Sequence, residues 1–220
     1  MALTDRVASR RRAALVDHLR AKGIADERVL DAVGRVPRHA FVPDTSLLSQ
    51  AYDDVALPIG LGQTISQPFT VARMTELLDV REGDRVLEVG TGSGYQAAVL
   101  AALGARVFSI ERHAPILQRT VDTLERLGVR VRTKAGDGTL GWPAFAPFDG
   151  VVVTAGGPAV PAALVEQLRD PAPPRPDARL VIPVGPSEHQ VLHRITKTAE
   201  GARDETFESV LFVPLVGGEG

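Results

Sequence analysis

At 220 residues the chain can bury one substantial core but not two full α/β domains, and its 24% charged residues and net charge of −2 are ordinary for a folded protein. It contains no cysteine, which excludes disulfides, thiolate catalysis and cysteine-ligated zinc. No apolar run reaches the ~20 residues a membrane helix needs, and the polar N-terminus is unlike a signal segment, so cytoplasmic residence is the expectation.

Leu3 to Ala21 has Leu3, Val7, Ala14, Leu15 and Leu19 at helical spacing, with Gly23 as its stop. Arg10, Arg11 and Arg12 fall on this helix between Asp5 and Asp17 and read as a solvated face, not a nucleic-acid footprint. A second helix is predicted from a cap at Asp26 to Val33. Pro37 and Pro43 bracket residues 38–42, which should be extended or turning. From Tyr52 to Gln67 turn residues dominate, yet Tyr52, Val55, Leu57, Ile59, Leu61 and Ile65 call for burial, so this reads as an ordered functional loop lying beside the sheet. Pro68 opens a helix to about Leu78 with Val71, Met74, Leu77 and Leu78 on one face.

Arg85-Val-Leu-Glu-Val-Gly-Thr-Gly-Ser-Gly-Tyr-Gln96 then reads as a buried strand, a turn with glycines at 90, 92 and 94, and a helix from Tyr95 to Leu103. Further strands are predicted at Ala105 to Ile110, Val129 to Thr133, Phe148 to Thr154 and Arg179 to Val184, with a crossover helix from Pro158 to Leu168. Asp170 to Asp177 is too proline-rich for helix or central strand and should be an exposed, stiff loop. Val191 to Lys197 and Val210 to Val216 are predicted as closing strands around a turn at Glu200-Gly201. His189 and His193 are too widely separated on a strand to chelate, so no metal is expected. The alternation implies an α/β fold with a doubly wound, mostly parallel sheet and ligands over the strands' carboxyl ends.

The turn has the pattern Gly-x-Gly-x-Gly instead of the Gly-x-Gly-x-x-Gly of a dinucleotide site. Glu88, two residues before the first glycine, would repel a pyrophosphate but suits a ligand bearing a sulfonium and an ammonium, which S-adenosylmethionine does. Glu111, at the end of the second strand, is placed to accept from both ribose hydroxyls, and Asp137, between Gly136 and Gly138, from the adenine amino group. Gly90, Thr91, Gly92, Ser93, Gly94 and Arg112 complete the expected cofactor set, with S-adenosylhomocysteine as product. The Asn/Asp-Pro-Pro-aromatic turn of amino-group methylation is replaced by Thr154-Ala-Gly-Gly157, and cysteine-dependent C5 chemistry is impossible. A carboxylate acceptor needs neither device, being ionised and nucleophilic near neutral pH.

Pro58-Ile-Gly-x-Gly-Gln-Thr-Ile-Ser-Gln-Pro68, the run from Val86 to Leu100, Ser109-Ile-Glu-Arg112, Gly136-Asp-Gly138, Gly141-Trp-Pro143, Ala146-Pro-Phe-Asp149, Val181-Ile-Pro-Val-Gly185 and Phe212-Val-Pro-Leu215 together resemble the protein-L-isoaspartate O-methyltransferase family over residues 35 to 217. The resemblance implies a class I S-adenosylmethionine-dependent methyltransferase fold over residues 51–220, with residues 1–50 as a helical accessory segment. It implies methyl transfer to the α-carboxylate of L-isoaspartyl residues in damaged proteins, then collapse to a succinimide and repair. The family's active-site serine falls on Ser66.

By residue chemistry, Thr64 and Ser66 hydroxyls each donate to an acceptor carboxylate, while Ser66 is also placed to cap the helix at Pro68. Gln63, Ile65, Val213 and Pro214 are candidate substrate contacts, Gln63 being equally suited to pairing backbone within its loop. Trp142 and Phe145 read as packing. Two departures from the family pattern stand out: Gly156 and Gly157 should loosen the backbone after the fourth strand, and the 170–178 insert lengthens a surface loop. A monomer acting on isoaspartyl proteins is expected, and two rival readings remain: methylation of aspartate in a dedicated peptide during its maturation, and a cofactor-binding adaptor without catalysis.

Overall fold

The structure, a computed structural model, describes residues 5–173 and 177–218. The expected helix start at Leu3 and residues 174–176 of the proline-rich stretch lie outside the described residues. Two helices come first, α1 (Asp5–Ala21) and α2 (Glu27–Arg35). Asp26 caps α2, its carboxylate accepting from the Arg28 N–H at 2.9 Å. Both helices bury their apolar faces in one cluster with Leu57, Ile59, Ile65, Val71 and Tyr95, so the N-terminal segment shares a core with the chain that follows it.

Residues 38–42, expected to be extended or turning and not helical, instead hold one short 3-10 helix, Arg38–Phe41. Pro37 sits before the turn and Pro43 after it, where neither needs an N–H inside the helix. The long loop likewise contains a hairpin, β1 (Leu57–Gly60) against β2 (Gln63–Ile65), antiparallel. Its apolar alternation is real: Leu57 and Ile59 are buried, and Pro58 and Gly60 between and after them are exposed. Helix α3 (Pro68–Leu78) starts at the expected proline.

The sheet strands follow as β3 (Arg85–Val89), β4 (Arg106–Glu111), β5 (Val131–Ala135), β6 (Gly150–Val153), β7 (Ala178–Val184), β8 (Gln190–Thr198) and β9 (Gly201–Val210). Helix α4 (Tyr95–Ala102) joins β3 to β4, and α5 (Ala114–Arg126), not anticipated from the sequence, joins β4 to β5. The crossover to β7 holds only a short helix, α6 (Ala162–Glu166), because Pro158 and Pro161 keep the preceding residues out of helix.

The order is β5-β4-β3-β6-β7-β8-β9; the first five of these are parallel, and β8 and β9 are antiparallel. The chain leaves β3 toward β4 on one side and later fills β6 on the other, so a crevice opens over the carboxyl ends of β3 and β6. The last strand is misplaced in the sequence reading: it spans Gly201–Val210, and the residues beyond it leave the sheet. Gly156 and Gly157 are not loose either. A Cβ on Gly156 would collide with the buried Gln190 side chain, and the Gly156 N–H and C=O bond Val213 and Leu215 at 2.8 and 2.7 Å.

Candidate active site

Each glycine of the turn after β3 answers a separate constraint. Gly90 has φ 96°, and a Cβ there would lie 2.5 Å from Thr154 Oγ1, which donates to the Gly90 carbonyl at 2.6 Å. Gly94 has φ 86° and faces Thr120, whose methyl would lie 2.7 Å from an added Cβ. The Thr120 hydroxyl donates to the Gly92 carbonyl at 2.6 Å, and the Gly92 N–H donates to Glu111 at 2.8 Å. The other Glu111 oxygen accepts from the His113 N–H at 2.9 Å. Glu111 thus pins the turn from the tip of the neighbouring strand, and its carboxylate keeps lone pairs for a ligand.

A cavity of about 320 Å³ lies over this turn. Its lining includes Gly90, Thr91, Gly92 and Ser93 with Glu111 and Arg112, Gln63, Thr64, Ile65 and Ser66, and Thr154, Gly138 and Val213 to Val216. A second groove of about 550 Å³ adjoins it, lined by Asp54, Arg73, His189, Glu208, Leu211 and Phe212 among others. The two share Thr64, Ser66, Thr154 and Val213, so the two hydroxyls expected to orient an acceptor stand where the chambers meet.

Four of the expected cofactor contacts do not line the cavity: Glu88, Gly94, Gly136 and Asp137. Glu88 is fully buried beneath the turn and accepts from the Ser109 hydroxyl, which is itself 2.6 Å from Thr91 Oγ1. Burial pushes the Glu88 carboxyl up to about 8, against the pull of the Ser109 hydrogen bond. Burial thus favours its neutral form, and Glu88 lies beneath the turn, outside the cavity lining, so the direct cofactor contact expected of it is not made from this position. Asp137 caps the turn at residues 138–140, accepting from the Thr139 N–H at 2.8 Å, the Thr139 hydroxyl at 2.6 Å and the Gly218 N–H at 2.7 Å. Burial opposes its charge, but these donors, the Thr139 hydroxyl foremost, hold its carboxyl below the ordinary range. Ser66 does not cap α3 either; the Asp54 carboxylate takes that place, accepting from the Phe69 N–H at 2.8 Å.

The sequence reading missed Ser109, Tyr95, Gln96 and Val216. Ser109 stands opposite Glu88 in the parallel pairing of β3 and β4, a relation that strand register reveals and spacing does not.

The family model for protein-L-isoaspartate(D-aspartate) O-methyltransferase matches residues 10–220. The chain belongs to this family. The protein-L-isoaspartate O-methyltransferase of Salinibacter ruber is 58% identical over 217 residues, covering 96% of this chain and 94% of its own. That of Chromobacterium violaceum is 51% identical, covering 97% and 94%. A solved protein-L-isoaspartate O-methyltransferase superposes with a TM-score of 0.83 at 29% identity, over 94% of this chain and 66% of that one. A Plasmodium falciparum beta-aspartate methyltransferase, solved in complex with S-adenosyl-L-homocysteine, shares the fold with a TM-score of 0.80 at 24% identity, over 93% and 98%. In this member of the family the glycine turn and the Gln-Thr-Ile-Ser segment line one cavity together.

Proposed function

We propose that this protein transfers a methyl group from S-adenosylmethionine to the α-carboxylate of L-isoaspartyl residues in damaged proteins and peptides, starting their repair through a succinimide. The observation that carries this reading is the placement of Thr64 and Ser66 at the junction of the cavity over the glycine turn and the open groove beside it. Among the described residues no protein group engages either hydroxyl, which leaves both for an acceptor.

The cavity suits the cofactor. Gly90 and Gly92 present bare backbone, Glu111 offers carboxylate lone pairs for ribose hydroxyls, and Gln96 Oε1 is a buried acceptor without a partner in the cavity wall, fitted to an ammonium. When bound, S-adenosylmethionine supplies an electrophilic methyl group on a sulfonium. No general base is needed, because the acceptor carboxylate is already ionised. The work left to Thr64 and Ser66 is to hold that carboxylate in line and partly shielded from water, a contribution of up to ~7–11 kcal/mol in favourable intramolecular systems. We read residues 1–50 as an accessory segment that buttresses the 51–67 segment.

Methyl release from an isoaspartyl peptide, compared with its normal aspartyl isomer, tests the reading: turnover confined to the isoaspartyl form is expected, and equal or reversed preference sinks it. Ser66→Ala should lower kcat/KM for that peptide by roughly tenfold to 100-fold, the scale of a lost orienting contact, while S-adenosylhomocysteine affinity by calorimetry stays level. Unchanged turnover would remove Ser66 from the mechanism.

A further inference from the structure

Among the described residues Arg38 is the largest fully buried side chain, with no exposed surface. Its guanidinium donates to three main-chain carbonyls, those of Ala51 at 2.6 Å, Val55 at 2.9 Å and Ser66 at 3.1 Å. Among the described residues no carboxylate forms an ion pair with it; Asp53 and Asp54 act on it only from a distance. Its carbon Cζ lies 5.7 Å from the centroid of the Tyr95 ring, and Tyr95 is the first residue of α4, directly after the glycine turn, and lines the same cavity as Ser66.

An uncompensated cation in a core is costly, and an apolar side chain would fill the same space more cheaply if packing were its only task. What the guanidinium provides is a rigid fork of donors for carbonyls that no strand or helix satisfies. Those carbonyls belong to the segment that carries Thr64 and Ser66. Fixing the Ser66 carbonyl holds the peptide plane beside the Ser66 Cα, and with it the backbone position from which the hydroxyl is carried.

We infer that Arg38 is a positioning residue for methyl transfer: by clamping the carbonyls of Ala51, Val55 and Ser66 against the ring of Tyr95, it sets the acceptor wall of the cavity relative to the glycine turn. This rests on the function proposed above. Lysine, a single flexible ammonium, cannot bridge three separate carbonyls in one plane, so charge alone does not replace it.

Arg38→Lys and Arg38→Ala, assayed beside the unaltered protein with an isoaspartyl peptide, test the assignment. In both, kcat/KM for the peptide is expected to fall on the order of 100-fold, the scale of an ångström-sized misplacement, while calorimetric affinity for S-adenosylhomocysteine changes less than threefold. Millimolar guanidinium should restore at least part of the lost turnover in Arg38→Ala, and ethylammonium should not. Wild-type-like peptide turnover in either variant, or parallel loss of turnover and S-adenosylhomocysteine affinity without guanidinium rescue, overturns the inference. Failure of both variants to fold also overturns it, since Arg38 would then be a core stabiliser. Absence of isoaspartyl turnover in the unaltered protein would sink the proposed function and this inference together; the variant results, with the unaltered protein active, bear on Arg38 alone.

Discussion

Burial raises the Glu88 carboxyl because the strand that carries it is covered on both sides, against the Ser109 hydroxyl and the Ala97 N–H, which favour its charged form. Its folded value, about 8, lies above its unfolded one. The neutral form is thus favoured by folding, and that contribution is complete below the unfolded value and lost as pH rises through the folded one. The thermal midpoint of the native protein should therefore decline between about pH 5 and 8, and Glu88→Gln should flatten that slope. Parallel curves for the two proteins would show that Glu88 titrates alike in both states. The acid was legible in the sequence; its protonation was not, because desolvation depends on what packs above it.

At the scale of elements, the start of α3 shows how a cap comes from a distance. Gln67 at the cap position makes no side-chain capping bond, its amide donating instead to the Asp54 carbonyl at 2.9 Å, and the Asp54 carboxylate accepts from the Phe69 N–H while pairing with His18 of α1 at 3.3 Å and Lys22 just beyond it at 2.5 Å. Burial opposes the Asp54 charge, but the Lys22 ammonium and the Phe69 N–H hold its carboxyl below the ordinary range. Removing it by Asp54→Ala should lower stability by about 1–2 kcal/mol in urea titrations at pH 7. The difference from the native protein should shrink as the pH falls through the folded value of Asp54, where the carboxylate is neutralised in both states; a constant difference across that range would exclude a charged cap. The edge strand makes the converse point. β9 is largely exposed and polar, held by backbone pairing to β8 and by contacts such as Arg194 to Glu205 at 2.8 Å, so it lacks the apolar alternation that marks a strand. The apolar run from Phe212 to Leu215 resembles a strand more closely, yet Pro214 only bridges to Gly156 at the sheet end, Val213 to Leu215 line the cavity and Phe212 lines the adjoining groove.

Over the whole molecule, the C-terminal residues complete the site. Gly156 docks Val213 and Leu215, Asp137 holds the Gly218 N–H, and Arg112 donates to the carbonyls of Val216 and Gly218, each at 2.9 Å. Arg112 reaches the cavity wall and this segment together, so Arg112→Ala should speed S-adenosylhomocysteine dissociation and weaken its binding roughly tenfold, as two lost hydrogen bonds would. Stopped-flow dissociation rates equal to those of the native protein would show that the segment does not restrain the cofactor. The sequence by itself determined the alternation of strands and helices, the glycine turn, the acid at the end of β4 and the family, because these rest on periodicity and on neighbours a few residues apart. Only the tertiary structure decided that Arg38 grips Ser66, that burial raises the Glu88 carboxyl and that Arg112 holds Val216 and Gly218 beside the cavity. Those contacts join positions up to 106 residues apart, and their geometry follows from strand order and packing, which no local pattern encodes.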